Sequence, residues 1–256
     1  MRPATKVALI AIAALMNVQP ALAIKRGPYP EVKVEVAGAF APDDAFKAMR
    51  KSFADAVSKK DTAALFRIVG PTFLWTTEEG RNDQFDMGRS ALDNFKVVFG
   101  FRAPDADADG NVENGPYWDT LAAFAAEDTF YEVEDAGNLV CSPAAGEVAD
   151  SELYDKAQAS FGDDDAPEWY FTLRPVSVAK SAGDKSEIAK IGTVALPLLS
   201  VSPEQGTPSQ LEVLLPSGKS GWIPATAARP LQSERLCFAK TPKGEWKIVQ
   251  YDQLPQ

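Results

Sequence analysis

From Trp169 onward no helical period survives in this chain, and that loss limits what the chain can fold into. Before it, apolar residues recur at three-to-four spacing in several segments; after it, short β-rich runs alternate with Pro, Gly and Ser turns. Phe46, Met49, Phe53 and Val57 predict a helix ending at Ser58, capped by Asp43 or Asp44. Asp61 caps a shorter predicted helix over 62–69, stopped by Gly70-Pro71, and 72–76 reads as a strand around Trp75. Ser90 opens a helix carrying Leu92, Phe95, Val98 and Phe99 that ends at Gly100. A further helix covers 117–126, the stretch 127–150 reads as extended, and Ser151-Glu152 start a last helix to about Phe161.

The expected fold class is therefore α+β. An extended arm at 24–41, with Val32-Lys33-Val34-Glu35-Val36 alternating at period two, leads into a helix-rich domain at 42–162. A linker at 163–172, begun by the acidic run Asp163-Asp164-Asp165, leads into a β domain at 173–252. That domain ends in a hairpin in which Phe238, Trp246 and Ile248 alternate around the turn Pro242-Lys243-Gly244.

Residues 1–23 have the three parts of a cleavable signal peptide: Arg2 and Lys6, an apolar run from Val7 to Met16, and the small-x-small site Ala21-Leu22-Ala23. The apolar run is shorter than the roughly 20 residues a membrane-spanning helix needs. The later apolar stretch 194–201 is broken by Pro197, so no span is expected after cleavage. The expected compartment is periplasmic or extracellular. Removing 1–23 takes Arg2 and Lys6 and no acid, so the remaining chain holds 24 basic against 36 acidic side chains, a formal net charge of −12. Such a chain repels nucleic acid and anionic lipid, and its short basic stretches at 47–51 and 59–60 lie among aspartates.

In an oxidising compartment the two cysteines, Cys141 and Cys237, predict a disulfide. Each sits in a strand-like run, and the bridge closes a loop of about 97 residues, an entropic constraint on the unfolded chain of roughly 4–5 kcal/mol. The chain has no histidine. That excludes Ser-His-Asp and Cys-His nucleophilic machinery, His-ligated zinc and haem on a proximal histidine, and leaves carboxylate-only chemistry such as glycoside hydrolysis open.

Residues 176–231 resemble a bacterial SH3 (SH3b) domain. Val176-Ser177-Val178 and the loop after it match the family's opening strand and loop, and residues 185–192 match its next strand. The strand 211–215, the turn Pro216-Ser217-Gly218-Lys219 and the run Ser220-Gly221-Trp222-Ile223-Pro224-Ala225 match a hairpin ending in a Gly-Trp-Val/Ile strand. Gly218 permits the tight turn, Gly221 permits close backbone approach, and Trp222 covers one end of a small barrel. Two departures stand out: the usual Arg-Ser-Gly-Pro after the first strand is Ala179-Lys180-Ser181-Ala182, and a mid-domain tryptophan is replaced by the region of Leu211. The resemblance covers about a fifth of the chain and implies a small β-barrel that contacts peptide or cell-wall partners. The layout as a whole is similar to exported SH3-domain proteins of Gram-negative bacteria. In the first half, Phe53, Ala56, Asp61, Ala64-Leu65, Pro71 and Phe73-x-Trp75 resemble the entry of NTF2-like cone folds, which often end in a hairpin like Gly244-Glu245-Trp246-Lys247-Ile248.

Three groups of residues are candidate sites. Asp105, Asp107 and Asp109 with Gly110 begin like a calcium loop, whose oxygen ligands alternate around a tight turn. The closing bidentate Glu is replaced by Pro116, with Glu113 three residues earlier, and a solvated acidic loop is the alternative reading. Glu78 and Glu79 beside Trp75, with Asp83 and Asp86 nearby, could form a carboxylate pair against an aromatic sugar platform, or a solvated loop. Among the β-domain aromatics Trp169, Tyr170, Phe171, Trp222, Trp246 and Tyr251, the pair Tyr170 and Trp222 is the candidate lining of a ligand groove, with core packing as the alternative. The expected function is a non-enzymatic binding or scaffold protein of the cell envelope. A carboxylate-based glycan hydrolase and a calcium-stabilised structural protein are the alternatives.

Overall fold

A computed structural model describes residues 27–76, 89–102, 116–133, 138–162, 167–203 and 208–253. The segment 1–23 read as a signal peptide, the acidic stretch with Asp105, Asp107 and Asp109, the glutamates Glu78 and Glu79, and the run 163–165 lie outside the described residues.

The chain opens with a short strand β1 (Val34–Val36), followed by helices α1 (Asp44–Ser58) and α2 (Thr62–Arg67) and strand β2 (Val69–Thr76). Asp43 caps α1 and Asp61 caps α2, each accepting a hydrogen bond from the backbone N–H three residues on. Helix α2 ends before the expected position because β2 begins at Val69 and runs through Gly70-Pro71. There a Cβ on Gly70 would lie 2.9 Å from Val249 Cγ1 and 3.2 Å from the Ile248 carbonyl, so glycine lets a neighbouring strand approach. Pro71 falls in a register shift, where its missing N–H costs no ladder bond. Helices α3 (Ala91–Val98), capped by Ser90, and α4 (Trp118–Ala126) follow. Strands β3 (Tyr131–Glu132), β4 (Val140–Ser142) and β5 (Gly146–Val148) and helix α5 (Ser151–Ala159) complete the first half.

The second half contributes β6 (Trp169–Thr172), β7 (Val176–Ala179), β8 (Glu187–Ile191), β9 (Ala195–Ser202), β10 (Gln210–Leu214), β11 (Ser220–Pro224), a 3-10 turn at Ala225–Ala227, and β12 (Ala228–Pro230). Two further strands, β13 (Arg235–Lys240) and β14 (Trp246–Asp252), close the chain.

Pairing corrects the expected domain plan at its C-terminal end. The hairpin β13–β14 does not extend the β domain; it forms the centre of a five-stranded sheet ordered β2-β14-β13-β4-β3, with β14 parallel to β2 and the other pairs antiparallel. The reason is apolar area. Helices α1, α3 and α4 present Phe46, Phe53, Phe95, Phe99 and Leu121, and the hairpin supplies the facing Phe238, Trp246, Ile248 and Tyr251. Burial of each large side chain is worth roughly 1.5–3 kcal/mol, which favours docking of the hairpin on this face. The first unit is thus built from both ends of the chain, with 167–231 inserted between β4 and β13. Cys141 and Cys237 are directly opposed on β4 and β13 and form the expected disulfide, which fastens the returning hairpin to its own sheet.

The inserted unit is an antiparallel sheet of seven strands ordered β12-β6-β9-β10-β11-β7-β8. It is not a closed barrel: among the described residues no pairing joins β8 to β12. The long β9 serves two partners, pairing β6 through Ala195–Pro197 and β10 beyond it. One face buries Val178, Leu196, Leu211, Val213 and Ile223. Trp169–Thr172, inside the expected linker, is the strand β6, because Trp169 and Phe171 alternate into a second cluster with Tyr29, Val32, Val34, Ala157 and Phe161.

Two devices join the units. The arm begins against the β10–β11 turn, where Tyr29 donates from its hydroxyl to the Leu214 carbonyl at 2.8 Å. It then runs past Val194, pairs β1 with β5, and ends as a bridge from Ala39 to Tyr131 on the edge of the five-stranded sheet. The second device is charged. Arg50 donates to the last carbonyls of α4, Phe124 at 2.6 Å and Glu127 at 2.9 Å, while its guanidinium lies 5.1–5.3 Å from the rings of Phe53, Phe130 and Phe238. Burial lowers Arg50 to about 10, opposed by the neighbouring Glu127, so it stays charged at neutral pH. Glu127 in turn accepts from Arg229 of β12 at 2.8 Å.

Candidate ligand pocket

Strand β2 places Trp75 opposite Tyr251 of β14, so both rings project toward the same side of the sheet. Helix α3 brings Val98 and Phe99 above them, and Tyr117 and Thr120 come from the start of α4. Glu234 sits one residue before β13, next to the Arg235–Asp252 pair, and Gln253 extends β14 beside it. Together these residues wall a depression of about 300 Å³ at one end of the first unit.

The framework of the pocket is held mainly by bonds outside its lining side chains. Thr76 donates its hydroxyl to Asp252 at 2.5 Å, Gln250 donates to the same carboxylate at 2.9 Å, and the Gln253 N–H donates to the Thr76 carbonyl at 3.1 Å. Phe99 and Phe124 pack on Tyr251 with ring centroids 5.0 and 6.0 Å away. Burial first, and then the adjacent Glu234 carboxylate that accepts its hydroxyl hydrogen bond, push the Tyr251 phenol far above its usual range. Tyr251 is therefore a neutral donor to Glu234 at any physiological pH. The Trp75 indole N–H is buried without a hydrogen-bond partner among the described residues.

A cleft of about 330 Å³ between the end of α1 and α2 is slightly larger but differs in kind. Its walls include Ser52, Asp55, Lys59, Asp61 and Arg67, and no aromatic ring. Asp61 caps α2 and Asp55 pairs with Lys51 at 2.6 Å, so its carboxylates already have structural tasks. The aromatic pocket is the better candidate because its one carboxylate and four rings converge on the same space.

The residues expected to line a groove are not brought together. Tyr170 lies opposite Leu196 and packs on the inner cluster of the β unit, where burial and then Glu168 raise its phenol to about 12. Trp222 lies opposite Glu212, on the face away from its neighbour Ile223, which is buried in that cluster. The two rings therefore occupy opposite faces of the sheet. Gly221 and Gly218 do what close approach requires: a Cβ on Gly221 would lie 2.4 Å from Val178, and Gly218 has φ +80° at the turn. Asp105, Asp107 and Asp109 fall outside the described residues, among which no cluster of metal-ligating side chains occurs. No described helix is long and apolar enough to cross a membrane.

Glu234 and Thr120 carried no sequence signal, since a single glutamate before an apolar strand and a threonine in a helix belong to no motif. Tyr251 stood out only as one of several aromatics. Compared with known proteins, the chain matches no family model, no curated protein and no solved structure at a significant level.

Proposed function

We propose that this is an exported, non-enzymatic binding protein of the cell envelope that holds a small organic ligand in the pocket formed by Trp75, Phe99, Tyr117, Glu234 and Tyr251. The observation that carries this reading is the convergence of four aromatic rings on one carboxylate in a depression of about 300 Å³, at the lower end of the usual size for small-molecule sites. A binding role is preferred because, among the described residues, the pocket wall supplies a single carboxylate, Glu234, whereas glycoside cleavage uses two. The leader-like residues 1–23 support export. The inserted unit reads as SH3b-like in that the segments carrying the resemblance form β7, β8, β10 and β11 and pair with one another. Its contact with peptide or cell-wall partners is assigned to Trp222, which is half-buried on the outer face of that sheet.

The test is amide chemical-shift mapping of the mature chain against a mixed set of small organic fragments. Binding at the pocket shifts Tyr117, Thr120 and Gln253, and Thr120→Trp, which fills the depression from the helix side, abolishes those shifts without lowering Tm. Fragments that shift only residues elsewhere, or none at all, overturn the reading. For the envelope contact, co-sedimentation with peptidoglycan falls in Trp222→Ala; equal sedimentation of variant and parent removes Trp222 from the proposal.

A further inference from the structure

We infer that the ligand of this pocket is a small organic cation, an alkylammonium group of the size of trimethylammonium. This rests on the reading of the depression as a ligand site. Among the described residues its lining contains one formal charge, Glu234, and no lysine or arginine; Thr120 and Gln253 are neutral. Trp75, Phe99, Tyr117 and Tyr251 line the same depression as that carboxylate, Phe99 and Tyr251 from the core side and Tyr117 from the exposed side. A ring face is negative, so rings arranged beside a carboxylate favour a positive and weakly hydrated group over a neutral or anionic one.

Two further features select a cation over a sugar. Glu234 already accepts a hydrogen bond from the Tyr251 hydroxyl, which occupies part of its hydrogen-bonding capacity. A sugar needs several directed polar partners, and among the described residues the neutral polar groups of the wall are those of Thr120, Gln253, Tyr117 and the Trp75 indole, whereas an ammonium needs only charge and ring faces. The surrounding field acts in the same sense: the whole chain has 36 acidic against 26 basic side chains, which raises the local concentration of cations around it. Tyr117, 46% exposed, is the pocket ring that can be replaced without disturbing the core.

The test compares choline with its uncharged isostere 3,3-dimethyl-1-butanol and with a neutral disaccharide, by calorimetry and amide shifts on the mature chain. Choline is expected to bind about ten-fold or more tighter than the isostere, the size of effect a cation–π and carboxylate site confers. Glu234→Gln is expected to lose about ten-fold in choline affinity while leaving isostere binding unchanged. Tyr117→Ala, at an exposed position, weakens choline binding with Tm unchanged and keeps the inference testable should Glu234→Gln fold poorly. Equal affinity for choline and the isostere, or tighter binding of the disaccharide, overturns the cation inference and leaves the binding reading intact. No pocket shift with any probe overturns both. Vesicles of phosphatidylcholine separate two sources of the same chemistry: co-sedimentation alongside choline binding supports a lipid headgroup, and choline binding without co-sedimentation supports a free cation.

Discussion

Gly221 shows how one position can serve the fold through what it lacks. It sits on β11 facing the inner cluster, and β7 crosses so close that a methyl group there would meet Val178 Cγ1 at 2.4 Å and the Ala179 carbonyl at 3.0 Å. A side chain can rotate away, but the carbonyl belongs to the backbone of the paired strand. Gly221→Ala is therefore expected to destabilise the inserted unit by about 1–3 kcal/mol, the usual cost of overpacking, read as a lower denaturant midpoint for that unit. An unchanged midpoint would show that β7 can move outward freely. The sequence made this glycine legible because it stands in a Gly-Trp-Ile run between two apolar strands. It could not make Glu234 legible, because that residue gains meaning only when β13 sets it beside β14 and the aromatic wall.

At the scale of elements, the hairpin β13–β14 is the decisive piece. Its period-two alternation and its turn were readable in advance, and so was the bond between Cys141 and Cys237. Its sheet was not, since alternation states that one face is buried without stating against what. Residues Phe238, Trp246 and Ile248 complete the core over α1, and Phe46 alone makes edge-on contacts with Phe40, Phe130, Phe238 and Trp246 at 5.0–5.5 Å. A chain ended after residue 232 is thus expected to lose the first unit along with the hairpin. The measurement is near-ultraviolet circular dichroism with limited proteolysis: the truncated chain should lose aromatic signal and be cleaved within 44–126. Protection of α1 and α4 in that chain would contradict the shared core. The same plan explains why truncation near residue 168 cannot isolate a helical domain, because it removes two central strands of that domain's sheet.

For the whole molecule, the units are held by the arm and by the ion pair Glu127–Arg229, whose side chains are 17% and 13% exposed. Burial alone would raise the Glu127 carboxyl, but the Arg229 and Thr129 hydrogen bonds outweigh it and hold the group below the ordinary glutamate value of 4.5. A carboxyl with a depressed folded pKa contributes stability that is present above its unfolded value and is lost as pH falls through its folded value. Glu127→Gln is accordingly expected to lower stability by about 1.5–3 kcal/mol at pH 7, the range for hydrogen bonds to charged groups. The difference from the parent should shrink below pH 4.5, as the parent's own carboxyl protonates; a Tm difference that stays constant down to pH 3 would contradict this linkage. By itself the sequence determined the helices, with the Asp and Ser caps of the first three, the loss of helical period at Trp169, the disulfide pair and the exclusion of histidine chemistry. Each of these follows from local spacing or composition, which a single segment expresses without its neighbours. Only the tertiary structure decided that both ends of the chain share one sheet, that Tyr170 and Trp222 face opposite ways, and that Trp75, Tyr117, Glu234 and Tyr251 meet. Those outcomes depend on which buried faces compete best for one another, and that competition involves residues as far apart as Phe46 and Trp246, whose proximity no local pattern encodes.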